Sequence, residues 1–326
     1  MMLRPDDLHK DPGILVGTAG SGAACVHILM AVHQGERYLA QQMASFTTQT
    51  YPNWRLWVGI DTPDTGEDQS RNILKTCSKP PTVFDGPMQG VAANFMALMS
   101  AAPAGEMWAL ADQDDVWLPH KLARAVETLN KVPSDLPALY CARTLIADHR
   151  LGRMRLSPLR RRGPSFANAL VQNIASGNTI VLNGAATRLV ASVIADTPTP
   201  VIHDWWLYQL ITGVGGEVIC DDQAVLLYRQ HSNNVLGAND CWRSRLHRLG
   251  LILGGVWAGW TDRNLACLQP LSDRMTPENR QCLETFTKAR QSSMLRRISQ
   301  LRRAGIYRQR SAADGVMWLA ALFGRL

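Results

Sequence analysis

The chain has 326 residues, a hydrophobic fraction of 46% and a formal net charge of +7. This length suits one large globular domain with an appendage, or two domains, and the hydrophobic fraction fits a sizeable core. Seven scattered cysteines without a C-x-x-C pair argue against a zinc site and are typical of reduced cytosolic thiols. The first residues do not have the pattern of a signal peptide, and the longest nearly apolar run, residues 249–260, is too short to span a bilayer.

The positive charge is concentrated at the end of the chain. Residues 241–326 contain fifteen arginine or lysine and five acidic residues, a net charge of +10, so the preceding residues are slightly acidic. A basic tail of this kind predicts contact with an anionic partner, either lipid headgroups or nucleic acid.

Short apolar runs alternate with helical spacing in the first half of the chain. A polar, Gly- and Pro-containing stretch at 1–24 precedes them and predicts a poorly ordered extension. The predicted elements are strands at 26–32, 54–60, 82–84 and 107–111, with helices at 37–50, 67–77 and 91–102. Behind Pro119 a further helical pattern is formed by Leu122, Ala125, Val126 and Leu129. This alternation predicts parallel βαβ units and an α/β fold. No G-x-G-x-x-G motif follows the first strand, so a dinucleotide fingerprint is absent.

The pattern changes after residue 130. The predicted elements are strands at 138–147, 180–182, 218–219 and 224–228, a helix that opens within 201–207 and runs to about 212, and helices from 242 onward. Residues 150–165 contain six arginines and no acid, which predicts either a solvated loop or a clamp on an anionic acceptor.

Three carboxylates occur within four positions at the end of the fourth strand: Asp112, Asp114 and Asp115. An Asp-x-Asp at a strand end places hard oxygen ligands at the carboxyl edge of a sheet, where open α/β sheets bind ligands. Such ligands select Mg²⁺ or Mn²⁺. An acidic helix N-terminus without a metal explains the same residues, so both interpretations stay open at this point.

A larger set of motifs resembles the family 2 glycosyltransferases, and among them the rhamnosyltransferase-like proteins of bacterial surface polysaccharide synthesis. The resemblance covers roughly residues 26–240, in the family's order. The matching pieces are 28–31, 35–39, 49–54, Asp61, Gly90-Val91 with Asn94-Phe95, 112–119, 176–179, 203–207, and 228–231 with Asn233-Asn234. The loops at 32–35 and 59–62, and Ala93, differ from the common family pattern.

The resemblance implies a GT-A fold, a Rossmann-like mixed sheet, and a nucleotide diphosphate sugar as donor. It implies that Asp114 and His231 bind Mg²⁺ or Mn²⁺, which is needed because the leaving diphosphate accumulates negative charge. The residues expected to bind the nucleotide sugar are Ala31, His33, Glu36, Asp61, Gly90, Asn94 and Asp112. Rhamnose carried by thymidine diphosphate is the first expectation for the donor.

Asp204 is the candidate general base for the acceptor hydroxyl, which is a poor nucleophile until its proton is removed. Its neighbours Trp205 and Trp206 offer indole faces for sugar stacking, and Asn178 completes the predicted acceptor contacts. The alternative for Asp204 is a helix N-cap. A single base without a paired nucleophile predicts one displacement that inverts the anomeric centre.

The predicted organisation is an extension at 1–24, a GT-A domain at 25–240 and a basic amphipathic helical region at 241–326. The predicted acceptor is a glycan or a lipid-linked glycan. We expect a cytoplasmic protein, with the tail on the inner face of the membrane as one alternative and an arginine-rich solvent face as the other. Nucleic acid is not an expected partner. Two other functions stay open, a metal-dependent sugar nucleotidyltransferase and a non-catalytic glycan- or membrane-binding scaffold.

Overall fold

A computed structural model describes residues 24–62, 68–230 and 255–326. The described residues form two compact units. The first contains the residues up to 159, then 177–192 and 219–230; the second contains 160–176, 193–218 and 255–326. The domain boundary near residue 240 remains a prediction. In the structure, residues 160–176 and 193–218 belong to the same compact unit as the C-terminal helices.

A mixed nine-stranded sheet is formed by the described residues, in the order β3-β2-β1-β4-β8-β6-β9-β5, with β7 paired to β6. The strands are β1 (Val26–Val32), β2 (Trp54–Ile60), β3 (Thr82–Asp85), β4 (Met107–Asp112), β5 (Val116–Trp117), β6 (Ala138–Ala147), β7 (Met154–Leu156), β8 (Val181–Leu182) and β9 (Glu217–Arg229).

The four parallel strands of the sheet coincide with the apolar runs that predicted buried strands. β1 is almost wholly buried because both of its edges are paired, to β2 and to β4, and its faces are covered. Its neighbours β2 and β4 run in the same direction, as does β3 beyond β2. The carboxyl ends of these strands therefore meet at one edge of the sheet, which confirms the predicted parallel arrangement.

In the sequence, three helices connect the four parallel strands, and a fourth helix follows β5. They are α1 (Leu39–Thr47), α2 (Ser70–Lys75), α3 (Val91–Ala101) and α4 (Lys121–Leu129). In α4 the four apolar residues of the predicted helical pattern are all buried and form its inner face: Leu122, Ala125, Val126 and Leu129. A spacing of three and four residues is typical of the buried face of a helix.

The second half of the sheet is antiparallel and differs in detail from the prediction. The two short strands expected near 218–219 and 224–228 are one thirteen-residue strand, β9. Val116 and Trp117, where no strand was predicted, form β5 and pair with β9. The arginine-rich stretch 150–165 includes a short strand, β7, along β6. Pairing with distant strands stabilises these short strands, so local sequence periodicity could not predict them.

The remaining helices are α5 (Phe166–Ala169), α6 (Gly184–Val193), α7 (His203–Gly213), α8 (Val256–Leu268), α9 (Pro277–Arg290), α10 (Met294–Arg303) and α11 (Ser311–Leu322). The last four confirm the predicted C-terminal helical region. Thr276 caps α9 by accepting a hydrogen bond from Asn279 N, and Pro277 follows at a position where proline suits a helix start. Among the described residues, every helix is too short or too polar to cross a bilayer.

Candidate functional site

The aspartate stretch lies at the carboxyl edge of the parallel strands. Asp112 is the last residue of β4 and is paired in register with Ala31 of β1. Asp112 and Asp114 are half-buried, whereas Asp115 is completely buried. Two of the three carboxylates are therefore accessible to a ligand at this edge.

Glutamine side chains hold the loop that carries these carboxylates. The Gln113 side-chain amide donates to His33 O at 2.9 Å, and its carbonyl accepts from His33 N at 2.8 Å. Gln42 of α1 donates to Asp112 O at 3.0 Å. The loop after β4 is thus tied to the loop after β1, although neither glutamine stood out in the sequence.

Arg229, the last residue of β9, makes the most extensive contacts to this loop. Its Nε donates to Asp114 O at 2.8 Å, and its backbone N–H donates to the Asp115 carboxylate at 3.3 Å. The guanidinium also donates to Gln41 Oε1 at 2.6 Å and stacks over the Tyr38 ring. Arg229 is only 3% exposed. It belonged to a matched motif, but its role was missed because its partners are far away in sequence.

Asp115 belongs to a buried network beneath the accessible pair. Asn178 donates to its carboxylate at 2.6 Å, and Lys121 donates to Asn178 O at 2.6 Å while its ammonium lies over the Trp117 ring. Burial, followed by the charges of Asp112 and Asp114, raises the pKa of Asp115 well above its usual value. Burial also lowers the pKa of Lys121.

Asn178 is a member of this buried network. Asn178 is 1% exposed and its amide is engaged by Asp115, so the structure does not fit the predicted acceptor contact. Lys121, which sequence reasoning passed over, is completely buried. A lysine on the apolar face of a predicted helix, directly after an acidic cluster, was the available signal.

Asp61 holds the loop that follows β3. Its two carboxylate oxygens accept hydrogen bonds from the backbone N–H groups of Met88, at 2.7 Å, and Gly90, at 3.1 Å. Gly90 has a φ of 88°, a conformation that favours glycine, and no atom surrounds the position of a Cβ there. His33 Nδ1 lies 3.0 Å from Asp61 O. Asp61, Gly90 and His33 therefore form one connected group.

The other predicted nucleotide-binding residues lie beside this group. Asn94 of α3 is buried and donates to Gly59 O at 2.8 Å, so it fastens the helix to β2. Ala31 is half-buried and Glu36 is exposed. A Cβ on Gly59 would lie 2.0 Å from the Asn94 side-chain oxygen, which explains why the strand has glycine there. All seven predicted positions thus belong to the first unit, at the carboxyl edge of its parallel strands.

Asp204 lies in the first turn of α7, in the second unit. The N-cap residue is Ile202, so Asp204 does not occupy the cap position of the alternative interpretation. The Asp204 side chain is half-buried. A carboxylate in the first turn is favoured by the helix dipole whether or not it takes part in catalysis.

The aromatic neighbours of Asp204 lie in the core. Trp205 is 5% exposed and its indole N–H donates to Ala169 O at 2.7 Å, while Trp206 is fully buried. Neither indole offers a face to an acceptor sugar, so the structure does not fit the predicted stacking. His203 is also buried, and burial lowers its pKa to about 3. His231 lies outside the described residues.

A second group of potential metal ligands, Cys25, His27 and Glu106, lies at the amino edge of the sheet with ligand atoms within 4.8 Å of one another. The Trp57 indole donates to His27 Nδ1 at 2.8 Å. Because an indole N–H can only donate, His27 Nε2 carries the ring proton, and it lies 2.8 Å from Glu106 Oε2. This tautomer prevents coordination through Nε2.

Comparison with known proteins gives a consistent picture. The family model "Glycosyl transferase family 2" matches residues 27–181. A dTDP-rhamnosyl transferase, RfbG of Shigella flexneri, is 24% identical over 240 residues, which is 68% of this chain and 78% of RfbG. The uncharacterized protein Rv1520 of Mycobacterium tuberculosis is 28% identical over 171 residues, covering 50% of this chain and 47% of Rv1520.

Two solved structures share the fold. Mannosyltransferase PcManGT from Pyrobaculum calidifontis, in complex with GDP-Man and Mn²⁺, superposes with a TM-score of 0.50 and 13% identity, covering 94% of this chain and 86% of PcManGT. S. aureus TarS 1–349 in complex with UDP-GlcNAc also gives a TM-score of 0.50 and 13% identity, covering 86% and 92%. The predicted GT-A fold with a C-terminal helical region is confirmed.

Proposed function

Since the chain carries a family 2 glycosyltransferase domain on a GT-A fold, we propose that it is an inverting, divalent-metal-dependent glycosyltransferase. The observation that supports this most is the carboxyl edge of the parallel strands in the first unit, where the half-buried Asp112 and Asp114 lie at the same sheet edge as the Asp61–Gly90 group. Two accessible hard oxygen donors suit Mg²⁺ or Mn²⁺.

In this proposal Asp114 and His231 are the predicted ligands of the cation, and Asp112 contacts the nucleotide sugar. The bound cation would act as a Lewis acid toward the departing nucleoside diphosphate. Asp61 keeps the loop at Gly90 in place by accepting two backbone hydrogen bonds, and that loop borders the nucleotide. Arg229 and Gln113 hold the backbone of the aspartate loop, so the carboxylates need little reorganisation when ligand binds.

Asp204 takes the proton from the acceptor hydroxyl in the same proposal. The acceptor oxygen forms its new bond to the anomeric carbon as the bond to the diphosphate oxygen breaks, so the configuration inverts. Rhamnose carried by dTDP is the proposed donor because of the 24% identity to RfbG. The proposed acceptor is a glycan or lipid-linked glycan in surface polysaccharide synthesis, reached from the cytoplasmic face of the membrane.

The test combines binding and transfer. Calorimetry with dTDP and UDP, each with Mn²⁺ and with EDTA, should show affinity only when the cation is present. Transfer from a panel of sugar nucleotides, followed by NMR of the product anomer, should show inversion. Release of pyrophosphate from a nucleoside triphosphate and a sugar phosphate would instead indicate a nucleotidyltransferase. Nucleotide binding that is equal in EDTA would contradict the metal role, and glycan binding without turnover would indicate a scaffold.

A further inference from the structure

The last two helices expose a group of apolar side chains. Leu295 of α10 is 78% exposed and Phe323, just after α11, is 65% exposed. Met294, Leu319 and Leu322 are between 41% and 50% exposed. Apolar exposure concentrated on two helices marks an interaction surface rather than ordinary surface variation.

Arg297 brings these side chains together. Its guanidinium donates to Ala321 O at 2.9 Å and to Ser292 O at 2.8 Å, so the end of α11 is fastened beside the start of α10. A groove of about 620 Å³ runs along this junction. Its lining includes Met294, Leu295, Ile298 and Leu322, with Arg302 and Arg303 at the same groove. We refer to these six residues with Leu319 and Phe323 as the α10–α11 face.

The charge of this region is positive and uncompensated. Arg296, Arg302 and Arg303 are exposed, and their side chains make neither a hydrogen bond nor an ion pair with the described residues. Beyond Glu284 the sequence contains one acidic residue, Asp314, and its carboxylate is engaged by Arg162. The apolar groove therefore lies among free guanidinium groups.

We infer that the α10–α11 face docks on an anionic lipid surface. Exposed leucine and phenylalanine enter the headgroup region, while the arginines meet the lipid phosphates and carboxylates. Nucleic acid would engage the arginines but gain little from Leu295 and Phe323. A second copy of the chain would place like charges against each other. This inference deepens the proposed function, on which it rests only for the benefit of reaching a lipid-linked acceptor.

The first experiment measures sedimentation of the full chain with vesicles of phosphatidylcholine alone or mixed with phosphatidylglycerol, without donor or acceptor. Binding should require the anionic lipid and weaken at high salt. R302A/R303A should lower the partition coefficient by about 25-fold, since each arginine near an anionic leaflet contributes about fivefold. The control R161A/R263A removes two exposed arginines elsewhere in the second unit and should leave binding nearly unchanged. Equal loss in both variants would overturn the assignment to this face.

The second experiment tests the apolar part. L295E should reduce vesicle binding at least tenfold, because it replaces a membrane-contacting leucine with a repelled charge. The control L159E alters a leucine that is 48% exposed in the first unit and should bind like the wild type. Circular dichroism and Mn²⁺-dependent dTDP binding check folding and donor affinity independently, so failure of docking and failure of the proposed enzyme activity are distinguishable. Absent vesicle binding, or self-association by ultracentrifugation that L295E abolishes, would overturn the inference.

Discussion

Two acidic stretches of this protein combine aspartate with tryptophan, and they are built differently. At the end of β4, the loop with Asp112 and Asp114 is held by three distant side chains: Gln42, Arg229 and, through Asp115, Asn178. Gln113 of the loop itself adds hydrogen bonds to the His33 backbone. At the start of α7, Asp204 is positioned by the helix itself, between a buried histidine and two buried tryptophans.

In both stretches the tryptophans belong to the scaffold. Trp117 packs against Phe46 and beneath the Lys121 ammonium, and Trp206 is fully buried. An indole next to a carboxylate with a proposed function therefore need not touch ligand, because its large apolar area stabilises the core first. The two carboxylate positions should respond differently to mutation, because the β4 loop depends on remote partners and the α7 carboxylate depends on its own helix.

The largest expected effect follows from Asp204→Asn. Asparagine keeps the shape of the side chain but cannot accept the acceptor proton, so turnover should fall by roughly 10²–10⁴-fold while donor binding stays nearly unchanged. Steady-state transfer and dTDP calorimetry measure the two quantities. Asp196→Asn, an exposed aspartate in the same unit, is the matched control. Near wild-type turnover in D204N would place the base elsewhere.

Asp114→Asn should weaken Mn²⁺-supported dTDP binding by about 100-fold or more, since loss of even an outer partner of a metal ligand costs roughly 10–100-fold. Titration calorimetry at fixed Mn²⁺ measures the change. The exposed Asp135 in the same unit is the matched site, and D135N should behave as wild type. If D114N binds the nucleotide normally, the aspartate loop is not the cation site.

Arg229→Met should weaken Mn²⁺ binding by roughly 10–100-fold although the residue is not a proposed ligand, because it removes the hydrogen bond to Asp114 O and loosens the loop. Mn²⁺ electron paramagnetic resonance gives the affinity and thermal unfolding gives the stability. The control Arg124→Met breaks a contact to Asp221 in the same unit and should lower stability without altering Mn²⁺ affinity. Equal metal affinity in the two variants would reduce Arg229 to a purely structural role.

Trp206→Phe tests whether the tryptophan beside Asp204 stabilises the core or binds the acceptor. The variant leaves space in the core, so the free energy of unfolding should fall by roughly 1–3 kcal/mol. Transfer by the folded enzyme should stay within about twofold of wild type, because the buried indole does not stack on sugar. Denaturant titration and kinetics with varied acceptor concentration measure these changes. A large rise in acceptor KM with unchanged stability would restore the stacking role.

The last prediction concerns His203, whose effect on stability appears only at acidic pH. Its folded pKa of about 3 lies below the unfolded value of about 6.5, so the unfolded chain binds the additional proton between these pH values. Stability contributed by the neutral ring is therefore complete above pH 6.5 and declines as the pH falls toward 3. At pH 5 the expected loss is about 2 kcal/mol. His203→Gln should flatten this part of the curve in urea titrations, and an unchanged slope would contradict the burial argument.

Much of the fold in the first half of the chain was predictable, because apolar runs in the sequence coincide there with strands buried in the sheet. The runs 26–32 and 54–60 are strands with the predicted bounds, since a continuous apolar run suits a strand buried on both faces. The position of Asp112 and Asp61 at strand ends followed from the same runs, because parallel strands bring their carboxyl ends to one edge.

The tertiary structure alone decided which polar residues of the site face a ligand and which support it. Asp115 and Asp112 are the same residue type, so the sequence does not distinguish them. In the structure, Asp115 is fully buried against Asn178, whereas Asp112 is half-buried at the sheet edge. Arg229 reaches the aspartate loop from more than a hundred residues away. Periodicity reports the face of a single element, whereas burial and hydrogen-bond partners depend on which distant elements pack together, and that is why these roles emerged only in the folded chain.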